Sequence, residues 1–164
     1  QSTIGQHVNI YPYTMISFSK CNDFVTLGPY AHICEQTCID SYAYIGNFVE
    51  VKRSQIGAYT KAKHLSYLGD AIIGSYCNIG AGVITCNYVP WVSGKQLTQI
   101  NSYAFIGAGS VLIAPLSIGQ NALCAAGSVI TETIPEKKMG IGRSRQVTKS
   151  RSDKHFQKMP QHHS

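Results

Sequence analysis

Aliphatic residues recur along this chain at a step of six. Ile4, Ile10 and Ile16 begin the pattern, Leu27, Ile33, Ile39, Ile45 and Val51 continue it, and Ile100, Ile106, Leu112, Ile118, Cys124 and Ile130 form its longest unbroken run. Neither the period of a helix nor the plain alternation of a strand generates that step. Glycine follows many of these residues, as in Ile45-Gly46, Ile79-Gly80, Ile106-Gly107 and Ile118-Gly119, where a sharp corner needs a small residue. One flat side per six residues, its aliphatic residue pointing into a narrow axis, closes a triangle after three sides. Stacked triangles bring their sides into parallel register. The pattern therefore predicts an all-β fold, a left-handed parallel β-helix of hexapeptide repeats, over residues 1–136 in about seven coils.

The rhythm breaks in two ways. From Val51 to Ile56 and from Leu68 to Ile73 the step shortens to five, read as irregular corners. Between about residues 86 and 99 the pattern disappears, and the stretch carries Pro90, Gly94 and the only Trp, Trp91. This predicts an external loop, and loops leaving a rigid scaffold carry function more often than the core does. Exposing Trp91 and Val92 is costly unless they pack on a ligand or a neighbouring subunit. Flat prism faces also pack side by side, and a homotrimer is the expected assembly, three-fold symmetry matching a triangular prism.

Composition agrees with corners and short strands. Only 13% of residues are charged, while Gly numbers 15 and Tyr 10, a poor match to a helical bundle with its charged surfaces. No apolar run approaches the ~18 residues of a membrane span, and no signal peptide is recognisable, so a cytoplasmic location is expected. The chain opens on Gln1 without an initiator Met and is expected to start partway into a longer protein. A net charge of +6 would suggest nucleic acid or an acidic membrane as partner. Yet eight of the 14 basic residues follow residue 136, with the single acid Asp153, whereas residues 1–136 hold six basic residues against seven acids. The basicity belongs to a tail, residues 137–164, and neither nucleic acid nor membrane is an expected partner. The tail reads as solvated, with contact to a polyanion or a cofactor phosphate as the alternative. The six cysteines contain no Cys-x-x-Cys pair, and Cys34-x-x-x-Cys38 lacks a matching His or Cys pair. Reduced, mostly buried thiols and no metal site are expected.

One histidine stands out. His64 lies in Lys61-Ala62-Lys63-His64-Leu65-Ser66-Tyr67, with basic residues at 52, 53, 61 and 63. Glu50, fourteen residues earlier, is expected on an adjacent coil, and Tyr67 and Asn78 bring hydrogen-bonding groups to nearby turns. A histidine oriented by a carboxylate within a positive surround suits a general base for an anionic, amine-bearing substrate. The competing reading is a structural or solvated histidine.

Four segments then occur in a telling order: Gly28-Pro29-Tyr30-Ala31, Gly46-Asn47-Phe48-Val49-Glu50-Val51-Lys52, Lys61 to Asp70 (KAKHLSYLGD) and Asn78 to Tyr88 (NIGAGVITCNY). Together they closely resemble the C-terminal acetyltransferase domain of the bacterial bifunctional N-acetylglucosamine-1-phosphate uridyltransferase/glucosamine-1-phosphate acetyltransferase family, over about residues 1–145. The resemblance implies acetyl-CoA-dependent N-acetylation of glucosamine 1-phosphate, feeding UDP-N-acetylglucosamine into peptidoglycan and lipopolysaccharide. It implies no metal, and the uridyltransferase domain is not part of this chain. By the same resemblance His64 takes the proton from the sugar amine and Glu50 helps to orient it. Lys52, Tyr67, Asn78 and Lys95 hold the phosphosugar, with Lys95 on a loop reaching across from a neighbouring subunit. Ala81, Asn87, Tyr88, Ala108, Ala126 and Arg143 contact acetyl-CoA, in sites between the chains of a trimer. The chemistry is coherent with those roles, because an amine must be deprotonated before it attacks a thioester. The Gly-rich turn Ile79-Gly80-Ala81-Gly82 could offer an N–H to the developing oxyanion.

Two departures bear on the acceptor. Where the family carries a phosphate-binding Arg in a Leu-Arg-Pro-Gly stretch, this chain reads Ile33-Cys34-Glu35-Gln36. Cys34 cannot replace a guanidinium fork and Glu35 has the wrong charge; losing one charge-assisted contact costs about 1.5–3 kcal/mol. After Asn87-Tyr88 the family's Asp-Gly becomes Val89-Pro90, with two residues inserted before Lys95. An acetyltransferase for a non-phosphorylated or other amino sugar is therefore an alternative, and a non-catalytic trimeric scaffold is another. Retention of so many polar residues, none needed to fold a prism, argues against the scaffold.

Overall fold

A computed structural model describes residues 1–150. Every named element is a strand of two to four residues, and every pairing is parallel, in three sheets of seven, eight and seven strands. Consecutive strands belong to different sheets: Asn78–Ile79 lies in the second, Ile84–Cys86 in the third and Thr98–Ile100 in the first. The chain thus circles one axis, visiting each face once per turn, as a left-handed parallel β-helix of about eight turns. The extra rung beyond the expected seven comes late. The strand Met139–Gly140 pairs with Leu123–Cys124, so the ladder continues past residue 136, where the basic residues begin. Arg151, Lys154 and Lys158 of the basic tail lie outside the described residues.

From Leu27 onward the aliphatic residues of the six-residue pattern point inward, joined by Ala62, whereas Ile4 and Ile10 in the first coil are exposed. Leu27, Ile45, Ala62, Ile79, Ile106 and Cys124 form one vertical column down the second face, and all are buried. The five-residue steps shorten a corner without disturbing the column: Ile39, Ile56 and Ile73 still pair in register. Buried hydroxyls brace the corners. Ser54 Oγ lies 2.9 and 3.0 Å from the carbonyls of Lys52 and Leu68 and accepts from the Ala71 N–H at 2.9 Å, which satisfies backbone groups that a buried corner would otherwise orphan.

The outer corners have an unusual occupant. Tyr42, Tyr59, Tyr76 and Tyr103 adopt φ of 63, 60, 59 and 63°, in the left-handed region, which costs a non-glycine residue roughly 1–2 kcal/mol. Their rings stack on one another at 4.8, 4.8 and 5.1 Å between centroids. Such pairs contribute about 0.5–1.5 kcal/mol beyond their buried area, of the order needed to offset the backbone cost. The expected loop leaves after Cys86 and returns at Thr98, and because Ile73 pairs with Ile100 the ladder is unbroken. Trp91 on that loop is 85% exposed. All six cysteines are free, with Cys38 and Cys86 only half-buried. No described helix is long and apolar enough to cross a membrane.

Candidate active site

His64 closes the strand Lys61–His64, directly above Asn47 of the preceding coil. Its Nδ1 lies 2.7 Å from Asn47 Oδ1. An amide oxygen only accepts, so Nδ1 is the donor of this contact, and in a neutral imidazole the lone pair then lies on Nε2. The ring is exposed. Ser66 Oγ braces the corner just beyond by donating to the His64 carbonyl at 2.9 Å. Glu50, expected to orient His64, stands one strand further on: it pairs with Tyr67 on one side and with His32 on the other. Its Oε1 is 3.9 Å from His32 Nδ1. The hydrogen bond fixing the imidazole therefore comes from Asn47, because the same corner one coil earlier puts Asn47 beneath His64 and Glu50 beneath Tyr67. The adjacent-coil expectation for Glu50 holds; the orienting contact belongs to another side chain.

The positive surround is largely compensated. Lys52 Nζ is 2.7 Å from Glu35 Oε1, and the Arg53 guanidinium reaches Glu35 as well. Arg53 also grips Asp70 in a fork, Nε to Oδ1 at 2.8 Å and Nη2 to Oδ2 at 2.9 Å. Asp70 in turn accepts from the Asn87 amide, whose Nδ2 lies 3.2 Å from the Tyr67 hydroxyl. One chain of contacts thus runs from Glu35 through Arg53, Asp70 and Asn87 to Tyr67. The hydrogen bond from Lys52 holds the Glu35 carboxyl below the usual carboxylate range. Burial pushes Asp70 up, but the guanidinium of Arg53, with help from Asn87 and Lys95, outweighs it and leaves that carboxyl low. Burial and the negative charge of Glu50 push the Cys34 thiol up, against the pull of Lys52.

A second edge carries small residues. The Ala81 carbonyl accepts from the Gly109 N–H at 2.7 Å and the Ala108 carbonyl from the Gly127 N–H at 2.8 Å, so Ala81, Ala108 and Ala126 rise along one corner. A Cβ at Gly107 would meet the Ala126 nitrogen at 2.4 Å, which fixes glycine there. Arg143 passes over the top of this edge, its Cδ within 3.8 Å of where a Gly127 Cβ would be. The structure thus brings Ala81, Ala108, Ala126 and Arg143 into one line. In the turn at residues 79–82 the Gly80 N–H is already committed to the Ile106 carbonyl at 2.8 Å, leaving the amides of Ala81 and Gly82 as the donors to consider. Asn78 pairs with Lys61, at the far end of that strand from His64, a separation of about 10 Å at ~3.3 Å per residue. Lys95 lies over the ring of Tyr88 of its own loop, 4.4 Å from the centroid.

Asn47, Arg53 and Asp70 are the participants that residue spacing did not single out as site groups. Each is found only once the coil register is known. The same holds for a convergence of His32, Cys34 and Glu50, whose ligand-capable atoms all lie within 4.8 Å of one another. A search for paired cysteines along the chain passes over it, since one member comes from the next coil.

No protein-family model matches the chain. Among curated proteins it is similar to the Bifunctional protein GlmU of Streptococcus pyogenes serotype M5 (strain Manfredo), 53% identical over 148 residues, covering 90% of this chain and 32% of that protein. It is also similar to the Bifunctional protein GlmU of Streptococcus agalactiae serotype V (strain ATCC BAA-611 / 2603 V/R), 52% identical over 146 residues, covering 89% and 31%. The chain spans about a third of the length of these relatives. Among solved structures, a mutant of perosamine N-acetyltransferase from Caulobacter crescentus, in complex with CoA and GDP-perosamine, superposes with a TM-score of 0.60 at 17% identity. That match covers 78% of this chain and 54% of the other, and it shows a shared fold. Nine-tenths of this chain corresponds to the C-terminal, acetyltransferase region of the GlmU family.

Proposed function

We propose that this chain transfers the acetyl group of acetyl-CoA to the amine of glucosamine 1-phosphate, giving N-acetylglucosamine 1-phosphate and free CoA. The observation that carries the proposal is the imidazole of His64, pinned through Nδ1 to Asn47 on an exposed side chain. Nε2 takes the proton as the amine nitrogen attacks the thioester carbonyl. Negative charge then builds on the carbonyl oxygen, and an amide of Ala81 or Gly82 answers it. Collapse of that intermediate breaks the carbon–sulfur bond, and the CoA thiolate leaves to be protonated. The Ala81–Ala108–Ala126 edge with Arg143 is the proposed bed for the pantetheine arm and cofactor phosphates, since small side chains let a thin ligand approach the backbone. Tyr67, Asn78 and Lys52 are proposed to hold the sugar, with Glu50 beside it. Asn87 and Tyr88 at the loop base are assigned to the cofactor.

A trimer completes the proposed site. The exposed Trp91 and Val92 need cover, and Lys95 beside them is proposed to reach an acceptor on a neighbouring subunit. A second reading has a specific observation behind it. Glu35 engages both Lys52 and Arg53, so the cations best placed for a phosphate are already paired, which favours an unphosphorylated amino sugar. Release of CoA thiol, followed with glucosamine 1-phosphate and with glucosamine, tests both. Preference for the phosphorylated sugar supports the first reading and preference for glucosamine the second. No release with either, from folded protein, sinks both.

A further inference from the structure

We propose that His32, Cys34 and Glu50 form a binding site for a zinc-type divalent cation, with three protein ligands and an open fourth position. The three come together through the register of the β-helix. His32 and Cys34 are two apart on the strand His32–Cys34 and so project from the same face, while the inward Ile33 between them is fully buried. The next strand, Glu50–Lys52, pairs in register and sets Glu50 directly beside His32. The imidazole nitrogens, the thiol sulfur and the carboxylate oxygens lie within 4.8 Å of one another. Ligands in a tetrahedral zinc site at 2.0–2.3 Å stand roughly 3.3–3.8 Å apart. Closure therefore asks for a movement of about an ångström, which side-chain torsions supply. His32 and Glu50 have the freedom for it, being 44% and 40% exposed, and Cys34 is the buried anchor.

The donor chemistry is equally apt. One imidazole, one thiolate and one carboxylate are each ordinary zinc donors, and three protein ligands with a vacant corner is the pattern of an open, reactive site. Thiolate and carboxylate together cancel the charge of a dication. The nearest lysine, Lys52, stands in register with Cys34 but is held by Glu35 at 2.7 Å, so its charge is already compensated. Lys52 and Tyr67 flank the cluster in register, beside Cys34 and Glu50 respectively. Resting on the acetyl-transfer reading, the metal there supplies the cation for an acceptor's anionic group that the paired lysine and arginine do not.

Cobalt titration of the metal-free 164-residue chain tests the site without any acetylation assay. The expected result is one cobalt per chain, a thiolate-to-cobalt charge-transfer band, and visible bands of four-coordinate intensity. Cys34→Ser should abolish the charge-transfer band, and His32→Gln and Glu50→Gln should each weaken zinc binding at least tenfold in a competition titration. Added inorganic phosphate should shift the visible bands; unchanged bands overturn the open fourth position. Less than one metal per chain at micromolar free zinc, or a charge-transfer band that survives Cys34→Ser, overturns the site. Should Cys34→Ser fail to fold, His32→Gln decides, because that side chain is half-exposed and carries no core packing. A protein that acetylates without binding metal refutes this site alone, and one that binds metal without acetylating refutes only the proposed function.

Discussion

Residues 100–130 and residues 32–99 are built on the same triangular plan and have opposite characters. The later stretch keeps the six-residue step throughout, with Ile100, Ile106, Leu112, Ile118 and Cys124 buried in succession. The earlier one slips to five residues twice and throws out a loop. Among the described residues every ion pair falls within positions 32–70, save Lys137 with Glu136 in the last coil. The corners that shorten are those that turn at Arg53 and Asp70, both at φ 48°, and their side chains bridge successive coils. Residues 100–130 hold no Asp, Glu, Lys or Arg, so the regular stretch builds a core without ion pairs. Across the shortened corners the coils stay in register, and there His64 meets Asn47 and Arg53 meets Asp70. Charge pairing gathers where the period is broken.

That contrast can be tested from both sides. His64→Ala should lower the rate of acetyl transfer by about 10²–10⁴-fold, the worth of a positioned general base, while acetyl-CoA affinity and thermal unfolding stay nearly unchanged. An unaltered rate would return His64 to a solvated role. Ile106→Ala in the regular region should do the reverse, costing about 2–5 kcal/mol of stability with turnover per folded molecule preserved; denaturant unfolding and active-site-normalised rates decide. Cys34→Arg, assayed with a chelator present, should lower KM for glucosamine 1-phosphate roughly tenfold through a charge-assisted contact and leave glucosamine unimproved. Equal effects on the two sugars would remove phosphate from the argument. Tyr76→Ala should cost about 1 kcal/mol of stability by breaking two ring stacks, with no effect on rate.

The smallest effect concerns pH. Asp70 is held low in the folded protein, so its contribution is fully present above the unfolded value near ~3.9 and is lost as pH falls through its folded value. The gap in urea midpoint between wild type and Asp70→Asn should therefore be widest near neutrality and close at acid pH. A gap that stays constant would show that the Arg53–Asp70 fork adds nothing through its charge.

How much could be read from the sequence follows from the same contrast. Leu27, Ile45, Ile79, Ile106 and Cys124 of the inward column were legible from the identity and spacing of single residues, whereas Ala62 of the same column was not. The loop at Cys86–Thr98 was legible because the period stops. The partner of His64 was not, since a coil shortened by one residue decides whether Gly46 or Asn47 lies beneath it, and Glu50 falls three positions further on, beneath Tyr67. Register also hid the meeting of His32, Cys34 and Glu50. The tyrosine corners escaped for a different reason. Local preference disfavours bulky side chains in the left-handed region, and only the neighbouring coils, by supplying rings to stack on, make that conformation tenable.

That column of rings has a consequence for how the molecule can be watched. Phe24, Tyr42, Tyr59, Tyr76 and Tyr103 stand face to face at 4.8, 4.8, 4.8 and 5.1 Å, close enough for their electronic transitions to couple. Since each coil of a solenoid touches only its neighbours, the near-ultraviolet dichroism of this column is a built-in gauge of how many consecutive turns remain wound. Fraying from one end would erase the signal rung by rung, and a cooperative collapse would erase it at once.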